Sequence, residues 1–209
     1  MYTAEYTVGV VSGNPRQLLT RPERREAILR AAARAFAARG FASTSMEDVA
    51  AAAGITRLIV YRHFESKEAL YSAVLERVTQ RLGEEVLAGA GGGPADGRLA
   101  LPAVRAVLVV AREDPDAFVL LWRQAAREPA FSGYATEFRE RVTAFAVSLL
   151  RQAGVGGRLR ERWAAETLVS FVVEAVLNWL DEGSPGRDEE FLTLMAASLP
   201  ALVAAWARA

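Results

Sequence analysis

Within the stretch 44–67 the sequence sets Thr44, Ser45, Thr56, Arg57, Tyr61, Arg62, His63 and Lys67 close together, a row of hydroxyl, guanidinium, imidazole and ammonium groups interrupted by the bulky Leu58 and Ile59. Such a row suits holding an anion or the edges of bases rather than moving protons between reactants. His63 is the only histidine and there is no cysteine, so no thiol nucleophile, no metal cluster and no second base stand ready beside it. A phosphate-loop pattern is missing too. Neither catalysis, a metal nor a cofactor is expected, and His63 reads as a hydrogen-bond donor to phosphate.

Charge points the same way once it is mapped along the chain. The 209 residues sum to zero, yet from Arg16 to Arg81 there are twelve basic and seven acidic side chains. That end carries +5, so the remainder carries −5. The basic end is the candidate for phosphate contact.

The elements that must position these groups are helices. Residues 1–20 show no period and are expected to form a flexible N-terminal arm. From Pro22, the residues Ile28, Ala31, Ala32, Ala35 and Phe36 recur as one apolar stripe that ends at Gly40. Thr44 with Glu47 three residues later predicts a capping box for a short second helix, which Gly54 stops. Thr56 is then expected to cap a third helix whose Val60 and Phe64 face inward, and Ser66 a fourth, with Ala69, Leu70, Ala73, Val74 and Val78 as its buried stripe. The run Gly89, Gly91, Gly92, Gly93, Pro94 and Gly97 breaks any helix. Beyond it the pattern predicts helices over roughly 101–113, 115–128, 134–152, 159–181 and 188–207. No stretch alternates as a strand does, so the fold class is all-α.

Two short helices joined by a tight Gly-containing turn and packed under another helix form the arrangement that lays a helix in the major groove of DNA, a helix-turn-helix. The residues near the start of its second helix reach base edges, which singles out Thr56, Arg57, Leu58, Ile59 and Tyr61. The runs Thr44-Ser45-Met46-Glu47-Asp48-Val49-Ala50, Ala53-Gly54-Ile55-Thr56 and Tyr61-Arg62-His63-Phe64-Glu65-Ser66-Lys67-Glu68-Ala69-Leu70 resemble the tetracycline-repressor (TetR) family of bacterial regulators. The resemblance covers Glu23 to about Val78. It implies a homodimer whose 21–67 domain binds a near-palindromic double-stranded operator, and whose 68–209 domain dimerises and senses a small molecule. Carried over by position, it makes Thr44 or Ser45 a phosphate contact at the second helix's N-terminus and Arg57 a base or phosphate reader, with Tyr61, His63 and Lys67 as backbone anchors. Where the family commonly has a small or turn-forming residue followed by Ser or Thr, this chain has Leu58 and Ile59. Either they pack on thymine methyl groups or they turn inward and rotate the reading face.

The C-terminal part holds all four Trp, at 122, 163, 179 and 206. The helix over 159–181 is, beyond Glu166, apolar nearly all round except for a narrow stripe of Thr167, Ser170, Glu174, Asn178 and Asp181, which faces solvent, a partner or a cavity. If a ligand pocket exists, Phe118, Trp122, Phe145, Phe171, Glu174 and Asn178 are its candidate lining. Leu192, Met195, Ala196, Leu199, Val203 and Trp206 form a stripe expected to join a four-helix dimer bundle built from the last two helices of each copy, with Pro200 kinking or breaking the last one. The first fifteen residues do not read as a signal peptide, and 194–207 is shorter than the ~20 residues of a span, so a cytoplasmic protein without membrane contact is expected. A DNA-binding protein with no effector, and a helical protein-interaction module, are the competing readings.

Overall fold

The computed structural model describes residues 19–90 and 100–208, so the expected arm lies almost wholly outside the described residues, as does most of the Gly-rich run. Among the described residues every regular element is helical: α1 Arg21–Ser43, α2 Met46–Ala52, α3 Arg57–His63, α4 Lys67–Ala90, α5 Ala100–Glu113, α6 Pro115–Val119, α7 Ser132–Gln152, α8 Arg158–Glu182 and α9 Asp188–Arg208.

Local chemistry explains where the first four start and stop. Thr20 and Glu23 close a capping box on α1, with the Thr20 amide donating to the Glu23 carboxylate at 2.7 Å and Pro22 in the first turn. Gly40 takes φ +78°, which only a residue without Cβ adopts freely, and one further turn follows it before Ser43. The capping box of α2 is Ser45 with Asp48, not Thr44 with Glu47: the Asp48 amide donates to Ser45 Oγ at 3.1 Å and the Ser45 amide to Asp48 Oδ2 at 2.9 Å. Thr44 is instead the last cap of α1. Its buried hydroxyl donates to the Gly40 carbonyl at 2.8 Å, which takes it out of competition for α2. Thr56 occupies the N-cap position of α3 but its hydroxyl makes no capping bond, whereas Ser66 accepts from the Ala69 amide at 3.0 Å and starts α4 as expected.

Ile28, Leu29, Ala32 and Phe36 of α1, Val49 of α2, Val60 of α3 and Leu70 and Val74 of α4 are fully or almost fully buried in one small core. Burying such side chains is worth roughly 1.5–3 kcal/mol each for the larger ones, enough to hold helices as short as α2 and α3 that would not persist alone. The core continues without a break into the second half through an aromatic cluster. Tyr71 of α4 stacks on Phe131 at 4.3 Å and meets Phe36 and Phe41 of α1 edge-on at 5.0 and 5.2 Å. Burial and the nearby Glu128 carboxylate push the Tyr71 hydroxyl up to about 12.

The segment expected as one helix over 115–128 changes pitch twice. Asp114 caps α6 by accepting from the Ala117 amide at 2.9 Å, then Leu120–Gln124 widens into a π turn and Ala125–Arg127 tightens into a 3-10 turn. The widening buries both Leu120 and Leu121 and seats Trp122 between Phe118 and Phe138. It also aims Gln124 back at α1.

In the last two helices the amphipathic faces turn differently from expectation. Leu192, Met195 and Leu199 of α9 are buried inside this chain, so the stripe expected to pair copies packs inward instead. What α8 and α9 leave outside is Leu159, Trp163, Phe171 and Leu194. The helix runs through Pro200 without a break; the carbonyl of Ala196, which loses its usual partner there, belongs to an exposed residue. Counted from the 3-10 turn Pro185–Arg187, the final stretch reaches Arg208, and it and α8 have the length and composition of a membrane span, longer than the 194–207 segment suggested. Each nevertheless keeps one face in the protein core, through Ala164, Leu168 and Val176 in α8 and Phe191 and Leu199 in α9.

Candidate nucleic-acid interface and cavity

Val60 points into the core and thereby sets the rotation of α3, because the residues one or two positions away on a helix must then face outward. Arg57, Leu58, Tyr61 and Arg62 are exposed, Leu58 at 62%. Ile59 is half-buried. The two alternatives for the bulky pair thus divide: Leu58 stands out from the surface and Ile59 leans against the protein. Thr56 is also exposed, with its hydroxyl free of any capping duty.

Arg57 is held in place before any ligand arrives. Its guanidinium pairs with the Glu47 carboxylate across the turn, donates to Tyr61 Oη at 3.3 Å and lies 5.0 Å from the Tyr61 ring centre. The Tyr61 hydroxyl first, and then the Glu47 charge, raise its pKa further above its ordinary range.

Ser45 and Lys67 are engaged internally. Ser45 Oγ donates to Asp48 Oδ2 at 2.6 Å, and Asp48, whose carboxyl is held below its usual range chiefly by Ser45, also binds Arg39 at 2.8 Å. An anion at the start of α2 therefore has to compete with a carboxylate already there. Lys67, the only lysine in the chain, donates to the Phe41 carbonyl at 2.9 Å and sits 4.3 Å over the Phe41 ring. It closes the C-terminal end of α1, where a cation offsets the negative end of the helix dipole.

His63, half-buried at the end of α3, faces the start of α1. Burial first, and then Arg21, Arg24 and Arg25, lower its pKa, which favours the neutral ring. Arg25 lies 5.1 Å over the Phe64 ring. Among the described residues, Arg21, Arg24, Arg25 and Arg62 have no carboxylate within 4.0 Å, while Arg30, Arg39, Arg57, Arg77 and Arg81 are all paired. Positive charge without a carboxylate partner among the described residues thus collects at the C-terminal end of α3, around His63 and Phe64. The arginines of the first turns of α1 were visible in the charge count, but only the packing of α1 against the end of α3 makes them part of this surface.

A cavity of about 630 Å³ opens between α4, α5, the π turn and α7. Its walls are mostly apolar, with Leu82, Val86, Val107, Trp122, Phe138 and Phe145 among them, and Glu76, Thr79, Gln80 and Arg141 contribute polar groups. Of the expected pocket residues, Trp122 and Phe145 line it; Phe118 lies fully buried behind Trp122. Phe171, Glu174 and Asn178 do not line it and are exposed on α8, where Glu174 binds Arg123 at 2.9 Å. The polar stripe of α8 faces the surface because Ala164, Leu168, Val169 and Val176 claim the opposite side for the core.

Comparison with known proteins agrees with this architecture. Residues 28–74 match the family described as bacterial regulatory proteins, tetR family. An HTH-type transcriptional regulator of Mycobacterium tuberculosis is 31% identical over 166 residues, covering 78% of this chain and 76% of that protein. Among solved structures, a TetR-like transcriptional regulator from Rhodococcus sp. RHA1 superposes with a TM-score of 0.74 at 24% identity, over 89% of this chain and 96% of that one. AibR in complex with isovaleryl coenzyme A and operator DNA superposes with a TM-score of 0.65 at 21% identity, over 83% and 96%. The helix-turn-helix of α2 and α3, the all-helical second half and these relatives together make the chain a member of the TetR family of bacterial transcription regulators.

Proposed function

We propose that this protein is a homodimeric repressor that lays two α3 helices into successive major grooves of a near-palindromic operator, about 34–36 Å apart, and is released by a small molecule held in the α4–α7 cavity. The observation that carries the reading is the outward face of α3. Arg57, Leu58, Tyr61 and Arg62 project there, and Arg21, Arg24 and Arg25, without a carboxylate partner among the described residues, gather at the C-terminal end of the same helix, which offers base-edge groups with phosphate-seeking charge close by. Ser45 and Thr56 adjoin them, His63 adds a donor at the rim, and Lys67 acts by fixing α1 against α4.

The head 21–67 reads DNA in this proposal, and the 68–209 part dimerises and senses, with α4 running from one into the other. The exposed Leu159, Trp163, Phe171 and Leu194 form the dimer face on α8 and α9, since apolar groups of that size gain from burial against a second copy. DNA as the target sets the protein's work in the cytoplasm. The solved complex of AibR holds an acyl coenzyme A and an operator together, which supports a ligand and DNA acting on one such fold.

Selection of bound sequences from a random duplex pool tests the reading. A palindromic consensus bound by a dimer is the expected result. A protein that enriches no sequence at low salt, or that binds as a monomer to an asymmetric site, overturns it.

A further inference from the structure

We infer that Glu47 sets how selectively α3 reads DNA, by holding Arg57 where it can meet a base acceptor in the right place but must leave its partner to reach a phosphate. The inference rests on the proposed reading of DNA by α3 and concerns one relationship within it.

Arg57 is the first residue of α3, and Glu47 lies in the first turn of α2. Their side chains are 58% and 51% exposed, and they pair with each other on the open face of the head. Tyr61 completes the hold from the third side, as acceptor at 3.3 Å and as the ring beneath the guanidinium. The neighbouring acid is engaged elsewhere, since Asp48 is bound to Ser45 and Arg39 and is not free to hold Arg57. Nor is the pair repeated elsewhere on α3, because Arg62 has no carboxylate within 4.0 Å among the described residues.

On an arbitrary duplex Arg57 gains a phosphate only by giving up Glu47, whose carboxylate is then left unpaired against a polyanion. On a duplex that presents guanine O6 and N7 at the right position, the guanidinium, with five N–H donors, adds the bidentate base contact while keeping Glu47, so that loss is not incurred. The acid therefore penalises unspecific binding more than specific binding. Removing it should tighten the wrong complexes most.

The test compares the wild type with Glu47→Gln, Arg57→Ala and the double variant, each titrated by fluorescence anisotropy with the selected operator and with a scrambled duplex at fixed salt. Glu47→Gln is expected to tighten the scrambled duplex more than the operator and to lower the ratio of the two affinities by about two- to five-fold, the range an exposed ion pair commands. In the Arg57→Ala background the same substitution should leave that ratio unchanged, and the base preference at the contacted position should loosen only when Arg57 is present. If Glu47→Gln tightens both duplexes equally, or lowers the ratio equally without Arg57, Glu47 is only a repelling charge and the inference fails. If the wild type itself distinguishes no sequence, the reading of DNA by α3 fails first, and with it this inference.

Discussion

The Gln124 side-chain amide donates to the Ala37 carbonyl of α1 at 3.1 Å, from a π turn whose Trp122, two residues earlier, forms part of the cavity wall. One short segment thus touches both the space proposed for an effector and the first helix of the head. A second tie runs beside it, where Arg77 of α4 pairs with Glu26 of α1 and with Asp114, the cap of α6.

Gln124→Ala should therefore loosen the end of α1 without touching the outward face of α3. A lost hydrogen bond of this kind costs about 0.5–1.5 kcal/mol, and the Ala37 carbonyl is left without this partner. Urea denaturation should show a loss of that size, and hydrogen exchange should quicken in the last turns of α1. A variant equal to wild type in both would mean that the bond does not persist in solution.

Lys67 and Arg25 should separate two kinds of basic residue. Lys67 is spent on the Phe41 carbonyl and ring, so Lys67→Met should lower stability, by about 1 kcal/mol for a charged hydrogen bond of this exposure, and leave the salt dependence of DNA binding nearly unchanged. Arg25 has no carboxylate partner among the described residues, so Arg25→Ala should weaken operator and scrambled duplex alike and reduce the slope of log K against log salt by about 0.9. Anisotropy titrations at four salt concentrations, alongside denaturation curves, measure both. The outcome that contradicts the structure is a slope that falls for Lys67→Met and not for Arg25→Ala.

Much of this surface was legible in the sequence, and the parts that were not share a cause. Helix starts and stops follow from local chemistry, so Pro22, Gly40, Gly54 and Ser66 announced themselves. Thr44 and Ser45 did not, because Thr44-x-x-Glu47 and Ser45-x-x-Asp48 are both plausible boxes, and the winner depends on the extra turn that α1 takes after Gly40. The contribution of Arg21, Arg24 and Arg25 depends on where α1 meets the end of α3, a contact between residues far apart in the chain. The same holds for Glu174 and Asn178, whose outward placement is set by how α8 is rotated, and for Leu192, Met195 and Leu199, which the core claims before any partner can. Periodicity tells which residues share a face but not which neighbour that face meets.

His63 supplies a pH prediction with a definite sign. Its folded pKa lies below the usual 6.5 because burial and the guanidiniums of Arg21, Arg24 and Arg25 disfavour the charged ring. The unfolded chain therefore binds more protons in the window from 6.5 down to the folded value, and stability falls as pH drops through it. Phosphates set against the same arginines would reverse the balance and favour the charged ring, so operator binding should take up a proton and tighten on acidification over that window. His63→Gln should flatten both dependences. Denaturation midpoints and operator titrations at pH 7.5 and 6.0 and constant ionic strength measure them, and a His63→Gln protein with the wild-type pH dependence would show that another group is responsible.

Trp163 is 54% exposed and Phe171 41% on α8, while the opposite side of that helix is buried in the chain's own core. A large side chain left outside in this way contributes to dimer formation when a second copy covers it, and a charge placed there has to be buried unpaired for the dimer to form. Phe171→Glu should therefore shift the protein to monomer in sedimentation velocity while its helix content and denaturation midpoint, measured at a concentration where the wild type is also monomeric, stay close to wild type. Because two half-sites a helical turn apart need two heads in one particle, the monomer should also lose most of its affinity for a palindrome while keeping its weak, salt-sensitive attraction to any duplex. A Phe171→Glu protein that remains dimeric would move the interface off this face of α8, and one that is monomeric yet binds the palindrome with full affinity would remove the requirement for a dimer.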